Sequence, residues 1–357
     1  MAELSAQGAV ARPRETVHFG AVSKGYTVFR DQDILAAKIT PCWENGKVGQ
    51  AHLGHEVGVG STEFHVVRAK ECADPRYLMH FLRLPSVRAT GELRMTGSGG
   101  QRRVPPEYLR SLQVPTPSLD EQRRIAAILD HADALRAKRR QVLAHLDDLT
   151  QSVFQSALQD DGAESVAANE LMPHMRNGLS PSSGGAHRAK VLTLSAITRG
   201  RFNPSAAKEG DFATEPPEDK CVAAIDFLMC RGNGNPGLVG VGVFVPEDRF
   251  DLVFPDTVIA GRVDSARVLA PILEVAWRQP SVRRQIEQVA RTTNGTYKVN
   301  QKSLASVHVA IPPLAVQRAT AGQFAKIDEA RTVVLEGQAA DEALFASLQA
   351  RAFSGEL

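Results

Sequence analysis

Two loops 195 residues apart hold the side chains best suited to chemistry. Residues 96–104 read TGSGGQRRV and residues 291–299 read RTTNGTYKV. Small and hydroxyl residues let a backbone approach a partner closely, and backbone N–H groups in such a loop can bond phosphates. The cations at the loop end suit phosphate oxygens or a guanine edge. Arg102, Arg103 and Lys298 are the expected duplex contacts. Ser98, Gln101, Asn294 and Tyr297 are the expected nearby readers, and Gly99, Gly295 and Thr296 belong to the same expected DNA-binding set. Lys38 and Arg231 form a second matched pair, each five residues after an aspartate (Asp33, Asp226) in a strand-like run. Trp43, Asn45 and Lys47 follow in one copy, and Asn233 and Asn235 in the other. Solvated polar turns are the alternative, and the repetition favours a shared binding role.

Catalytic patterns are missing where they could be sought. The run GNGNPG at 232–237 matches GxGxxG, but it leads into LVGVGV, which reads as strand and not helix. The sequence has no P-loop, no Gly-x-Ser-x-Gly elbow and no HExxH among its ten histidines, and His65 and His80 read as structural or surface residues. An adenine methyltransferase needs an Asn-Pro-Pro-aromatic loop. Residues 104–108, VPPEY, lack the Asn and recur as VNQKS at 299–303, so they read as structural.

These loops belong to a larger duplication. Thr62 recurs as Thr257, and Pro85, Ser86, Val87 and Arg88 recur as Pro280, Ser281, Val282 and Arg283. Gly100, Val104, Leu109, Ser111, Val114 and Pro117 recur 195 residues later, as do Leu119, Gln122, Arg123, Asp133, Leu149 and Ser152. A period this long marks a duplicated domain and not a solenoid. Each copy ends in a β-prone piece, a Pro-bounded segment (114–117, 311–313) and then a helix.

The first helix, 119–158, has Ser118 as N-cap with Glu121 three residues on. It contains neither Pro nor Gly, and forty residues make a rod of roughly 60 Å. Ile125, Ile128, Ala132, Leu135, Val142, Leu146, Leu149 and Val153 give a heptad seam that Arg139 interrupts. The second helix, 314 to about 353, has Ile327, Val333, Val334, Leu335, Leu344, Phe345 and Leu348 on its apolar face, and Gly337 lowers its propensity. The two are expected to pair.

Strands are expected at 33–39, 64–67, 190–194, 239–245 and 252–254, and helices at 74–84, 270–279 and 281–290. Segments 173–185 and 203–217 read as loops. The expected fold class is α+β: two duplicated mixed domains, 1–117 and 161–312, joined by long helices, 118–160 and 313–357, in a pseudo-two-fold antiparallel coiled coil. Leu194-Ser195-Ala196 resembles Leu4-Ser5-Ala6, so about 30 residues (163–193) have no counterpart in the first domain. That domain therefore reads as shortened at its start.

Composition is that of an ordinary globular protein, 43% apolar and 23% charged. Net charge is +2, distributed as +4, −1, +1 and −2 over the four segments. No apolar run reaches membrane-spanning length, and four cysteines without CxxC spacing suit a reducing cytoplasm.

The chain resembles the specificity (S) subunits of type I DNA restriction–modification systems. The resemblance covers essentially the whole chain. Its most specific parts are PTPSLDEQRRIAAILDHADALRAKRRQVLAHLDDL and FRDQDILAAKITPCWENGK with GSTEFHVVR and MTGSGGQRRVP. It implies two target recognition domains, each reading one half of a bipartite double-stranded site, with an antiparallel coiled coil as spacer. It also implies a non-catalytic subunit without its own cofactor. Two methyltransferase (M) subunits would use S-adenosylmethionine on adenine N6, and restriction/motor (R) subunits would be an optional addition using ATP. Docking is expected on the helix regions, including Gln122 and Gln317. A two-domain scaffold for protein partners is the competing class.

Overall fold

The computed structural model describes residues 1–357 apart from Ala2, Ala6, Ser23, Gly99, Asp160, Asp161, Ser183 and Asn294. The chain divides into two units. The first is Met1–Ala144 with Thr332–Leu357, and the second is His145–Arg331. Each long helix, Leu119–Leu158 and Leu314–Ser354, therefore gives part of its length to each unit.

The first unit is built on a four-stranded sheet in the order Val10–Ala11, Val48–Ala51, Ile34–Ala37, Phe64–Val67. Ile34–Ala37 is apolar at every position and buried at every position, as a central strand covered on both faces must be. Helices Pro75–Leu82 and Pro85–Leu93 follow it in the chain, each starting on a proline whose missing N–H costs nothing at a helix start. Asp74 caps the first by accepting from the N–H groups of Arg76 and Tyr77. Trp43, Val48, Met79, Phe81 and Tyr108 share the main core.

In the second unit an antiparallel sheet runs Gly242–Phe244, Asp226–Cys230, Val258–Arg262, His174–Asn177. Helices Ala270–Trp277 and Pro280–Val289 contribute Ile272, Leu273, Trp277, Val282 and Ile286 to the core on one side. A second sheet, in the order 207–212, 187–192, 249–253, 221–222, adds Leu192 and Leu252 to a further cluster. The expected strands and helices form to within a few residues of their predicted limits.

The segments expected to be loops differ. Each contains a strand, His174–Asn177 and Ala207–Phe212, and both lie at sheet edges. Edge strands bury little, so HMRN and AKEGDF carry no apolar alternation to announce them.

The helices pair antiparallel in each unit. In the first, Ile125, Ala126, Leu129 and Ala132 cluster with Phe345 and Ala352. In the second, Phe154 clusters with Phe324 and Ile327, and Arg331 bonds Asp147 at 2.6 Å. The heptad seam, expected to break only at Arg139, needs correction. Leu135, Val142, Val333, Leu335 and Leu344 are exposed in the first unit, as is Leu149 in the second. In the first unit arginines also hold the pair. Arg136 bonds Asp133 and Glu342 and lies 4.2 Å over the Phe345 ring, and Arg139 bonds Asp341. Gly337 makes room for that guanidinium, since a Cβ there would lie 2.2 Å from Arg139 Nη1. The two departures from regular patterning, an arginine in one seam and a glycine in the other helix, are one contact.

Candidate nucleic-acid interface

Both repeated loops hang from the same backbone frame. In the first unit the N–H of Val104 donates to Lys38 O at 2.8 Å, and Arg103 bridges Ile39 on one side and Thr96 on the other. In the second, the N–H of Val299 donates to Arg231 O at 2.9 Å, and Lys298 pairs with Gly232 and with Arg291. The segment after the Lys38/Arg231 position is thus tied to the basic loop in each copy. Gly100 and Gly295 have φ of 77° and 74°, a left-handed conformation that explains why glycine recurs there. The second loop forms a hairpin of Arg291–Thr293 and Thr296–Lys298.

The turn after the frame is anchored from behind by the repeated Pro-Ser-Val-Arg helix start. Trp43 is buried and donates its Nε1–H to Arg88 O at 2.9 Å, so it serves the core and not a ligand. Arg283 donates to the carbonyls of Val239 and Pro236, closing the Asn/Gly-rich turn. Asn233 and Asn235 spend their side-chain oxygens on the N–H groups two residues ahead, at 2.9 Å each. The GxGxxG match is therefore a turn beside a strand.

The expected contact residues fall into three states. Ser98, Gln101, Arg102, Gly295 and Lys298 are exposed, with Arg102 only 3.8 Å from Glu44 as a loose ion pair. Lys38, Lys47, Arg231, Asn233, Thr296 and Tyr297 are half-buried. Lys47 Nζ donates to Met1 O at 3.4 Å and Arg231 Nη1 to Asp256 O at 3.0 Å. Arg103 is engaged side-on by Glu63, with Nε to Oε2 at 2.9 Å and Nη2 to Oε1 at 2.8 Å. That pairing holds the Glu63 carboxyl below the usual range and raises the guanidinium further. Gly99 and Asn294 lie outside the described residues. The repeated loop motif in the sequence points to Arg103 but not to Glu63, which lies 40 residues earlier with no pattern linking the two.

His65 and His80 have internal partners: Nε2 of His65 meets Val104 O, and Nε2 of His80 meets Asp130 Oδ1, each at 2.8 Å. Burial pushes the His65 imidazole below its ordinary pKa, against the bond to Val104 O. Burial likewise pushes the Cys230 thiol up to about 11.

Gln122 and Gln317 have a different place from the one expected. Each is 1% exposed. Gln122 donates Nε2 to Cys72 O and Pro117 O and accepts from the Asp74 N–H. Gln317 does the same with Arg267 O, Pro312 O and the Leu269 N–H. They fasten each long helix to its own unit, and their amides are spent before any partner arrives. Gln122→Ala should therefore destabilise the first unit by about 1–3 kcal/mol, the cost of stranding buried backbone groups. Calorimetric unfolding checks this, and a change below about 0.5 kcal/mol would contradict it.

Residues 11–145 match the family described as type I restriction modification DNA specificity domain. The specificity subunit of the Escherichia coli type I restriction enzyme EcoAI is 35% identical over 154 residues, 42% of this chain and 26% of that protein. Over these stretches the chain is similar to type I specificity subunits. The EcoEI specificity subunit of E. coli is 37% identical over 165 residues, 44% of this chain and 28% of that protein. These two matches span about a quarter of the relatives' length. The EcoKI specificity subunit of E. coli strain K12 aligns more widely, at 24% identity over 87% of this chain and 72% of its own. A solved chain from work on complex assembly and conformational transition of the type I R-M system shares the fold, with a TM-score of 0.50 and 16% identity. It covers 94% of this chain and 85% of that one. Among the described residues no helix is long and apolar enough to cross a membrane.

Proposed function

We propose that this chain is the DNA-recognition subunit of a type I restriction–modification system. Residues 1–117 and 161–312 act as target recognition domains, each reading one half of a bipartite duplex site. Helices 118–160 and 313–357 act as spacer and docking region. Two N6-adenine methyltransferase subunits bind it, restriction subunits join them, and S-adenosylmethionine and ATP are used by those partners in the cytoplasm. The observation that supports this best is the twice-built frame, which presents a glycine-tipped cationic loop at the matching place in each unit. A duplex of two half-sites calls for two such readers. The exposed Leu135, Val142, Val333, Leu335 and Leu344 suit helix docking better than the buried glutamines do.

Phosphate contacts govern affinity and its salt dependence. The double variant Arg102→Ala/Lys298→Ala should weaken binding to all duplexes alike and flatten the salt slope by about two units, one per cation lost. Adding Arg103→Ala should further reduce discrimination between duplexes. Fluorescence anisotropy across a salt series checks this. Unchanged affinity and slope in the triple variant would overturn the proposal in favour of a protein-binding scaffold.

A further inference from the structure

The two matching cations, Arg103 and Lys298, are in opposite electrostatic situations. Lys298 is exposed, and no carboxylate pairs with it among the described residues. Arg103 is neutralised by Glu63, and both members are held by backbone. Glu63 O accepts from the Lys38 N–H at 2.9 Å, and Arg103 is bridged to Thr96 and Ile39. A guanidinium has five N–H groups in a rigid plane. Glu63 takes the side-on edge, Nε and Nη2. Nη1 bonds no described residue, and the side chain remains 42% exposed. The end-on edge, Nη1 with the second Nη2 hydrogen, is left as an oriented two-donor fork.

Such a fork matches the O6 and N7 acceptors of guanine in the major groove. It also matches a phosphate, but a pair of zero net charge releases few counterions and gains little from the backbone's field. Hydrogen bonds to a base edge need the fork's geometry more than its net charge. A free ammonium such as Lys298 has the reverse properties, a mobile point charge without a fixed plane.

Resting on the reading of the chain as a DNA-recognition subunit, we propose that Glu63 and Arg103 form a guanine-reading pair. Arg103 touches the base and Glu63 is its positioning residue, while Lys298, at the matching place in the second unit, contacts phosphate.

The test is selection of duplexes from a randomised library by the full-length chain and its variants. Salt titrations on one fixed non-cognate duplex run in parallel. Wild type should select a site with a guanine in one half. Glu63→Gln should lose that preference about tenfold, keep the other half-site, and steepen the salt slope by up to about one unit as the Arg103 charge is released. Glu63→Asp keeps the charge but withdraws the carboxylate by one methylene, so it should lose the preference without steepening the slope. Arg103→Lys should lose the preference, and Lys298→Met should flatten the slope by about one unit with the selected sequence unchanged. Circular dichroism establishes that each variant is folded. Retention of the guanine by folded Glu63→Asp or Arg103→Lys, or no guanine in the wild-type site, overturns the pair and leaves DNA recognition standing. Wild type that selects no sequence and shows no salt-dependent binding overturns both.

Discussion

Purified chain incubated with duplex DNA and labelled S-adenosylmethionine is expected to transfer no label. The same preparation mixed with a type I methyltransferase subunit is expected to label adenine. On the proposed reading the difference should run from background to full turnover, because the partner would supply the whole of the chemistry. Methyl transfer needs a cofactor pocket and an Asn-Pro-Pro-aromatic loop at the adenine. In this chain the run VPPEY at residues 104–108 lacks the Asn, starts with the buried Val104 and continues into the helix Pro106–Ser111, where Tyr108 bonds Val87 O in the core. The glycine-rich run at 232–237 is closed by Arg283 and lies beside a strand. Each unit would place one methyltransferase, so saturation should come at two per chain. Label transferred by the chain alone would refute the non-catalytic assignment, and saturation at one per chain would refute symmetric docking.

The largest loss of stability is expected from Arg176→Met. Asp226 is fully buried, and Arg176 meets it with two bonds, at 2.9 and 2.6 Å. The same guanidinium lies 5.3 Å from the Phe254 ring centroid. Arg262 is the other nearby cation, at 4.0 Å. Removing one partner of a buried pair strands the other charge, which costs about 3–5 kcal/mol. Calorimetry should show the transition of the second unit falling well below that of the first, with the first unchanged. Replacing Asp226 by Asn as well should recover part of the loss, because the stranded charge and not the missing contact dominates it. A loss under about 1 kcal/mol would show that Arg262 can substitute.

The interface was legible where local conformation demanded a residue type. Gly100 and Gly295 recur because both loop tips need positive φ. Arg102 and Lys298 are exposed as expected of surface cations. Legibility failed for residues whose role is set by a distant partner. Gln122 and Gln317 recur as a docking surface would, yet each is occupied by carbonyls about 50 residues earlier in the chain as well as by its own helix start.

Sequence alone determined the duplication, the two 40-residue-scale helices and the apolar strands and helices of each copy. These rest on short-range physics: capping at Ser118, whose Oγ accepts from the Glu121 N–H, proline at helix starts, and apolar runs long enough to be central strands. Tertiary structure alone decided which polar residues are available. Arg139 opposite Gly337 looked like two flaws in two helices and is one fitted contact. The polar edge strands 174–177 and 207–212 form because neighbouring strands supply their hydrogen bonds, whatever their own pattern. Arg103 and Lys298 occupy the same place in the repeat, and a carboxylate brought from residue 63 makes them different. A charge is set by what folding brings within about 4 Å of it, and at that range separation along the chain carries no information.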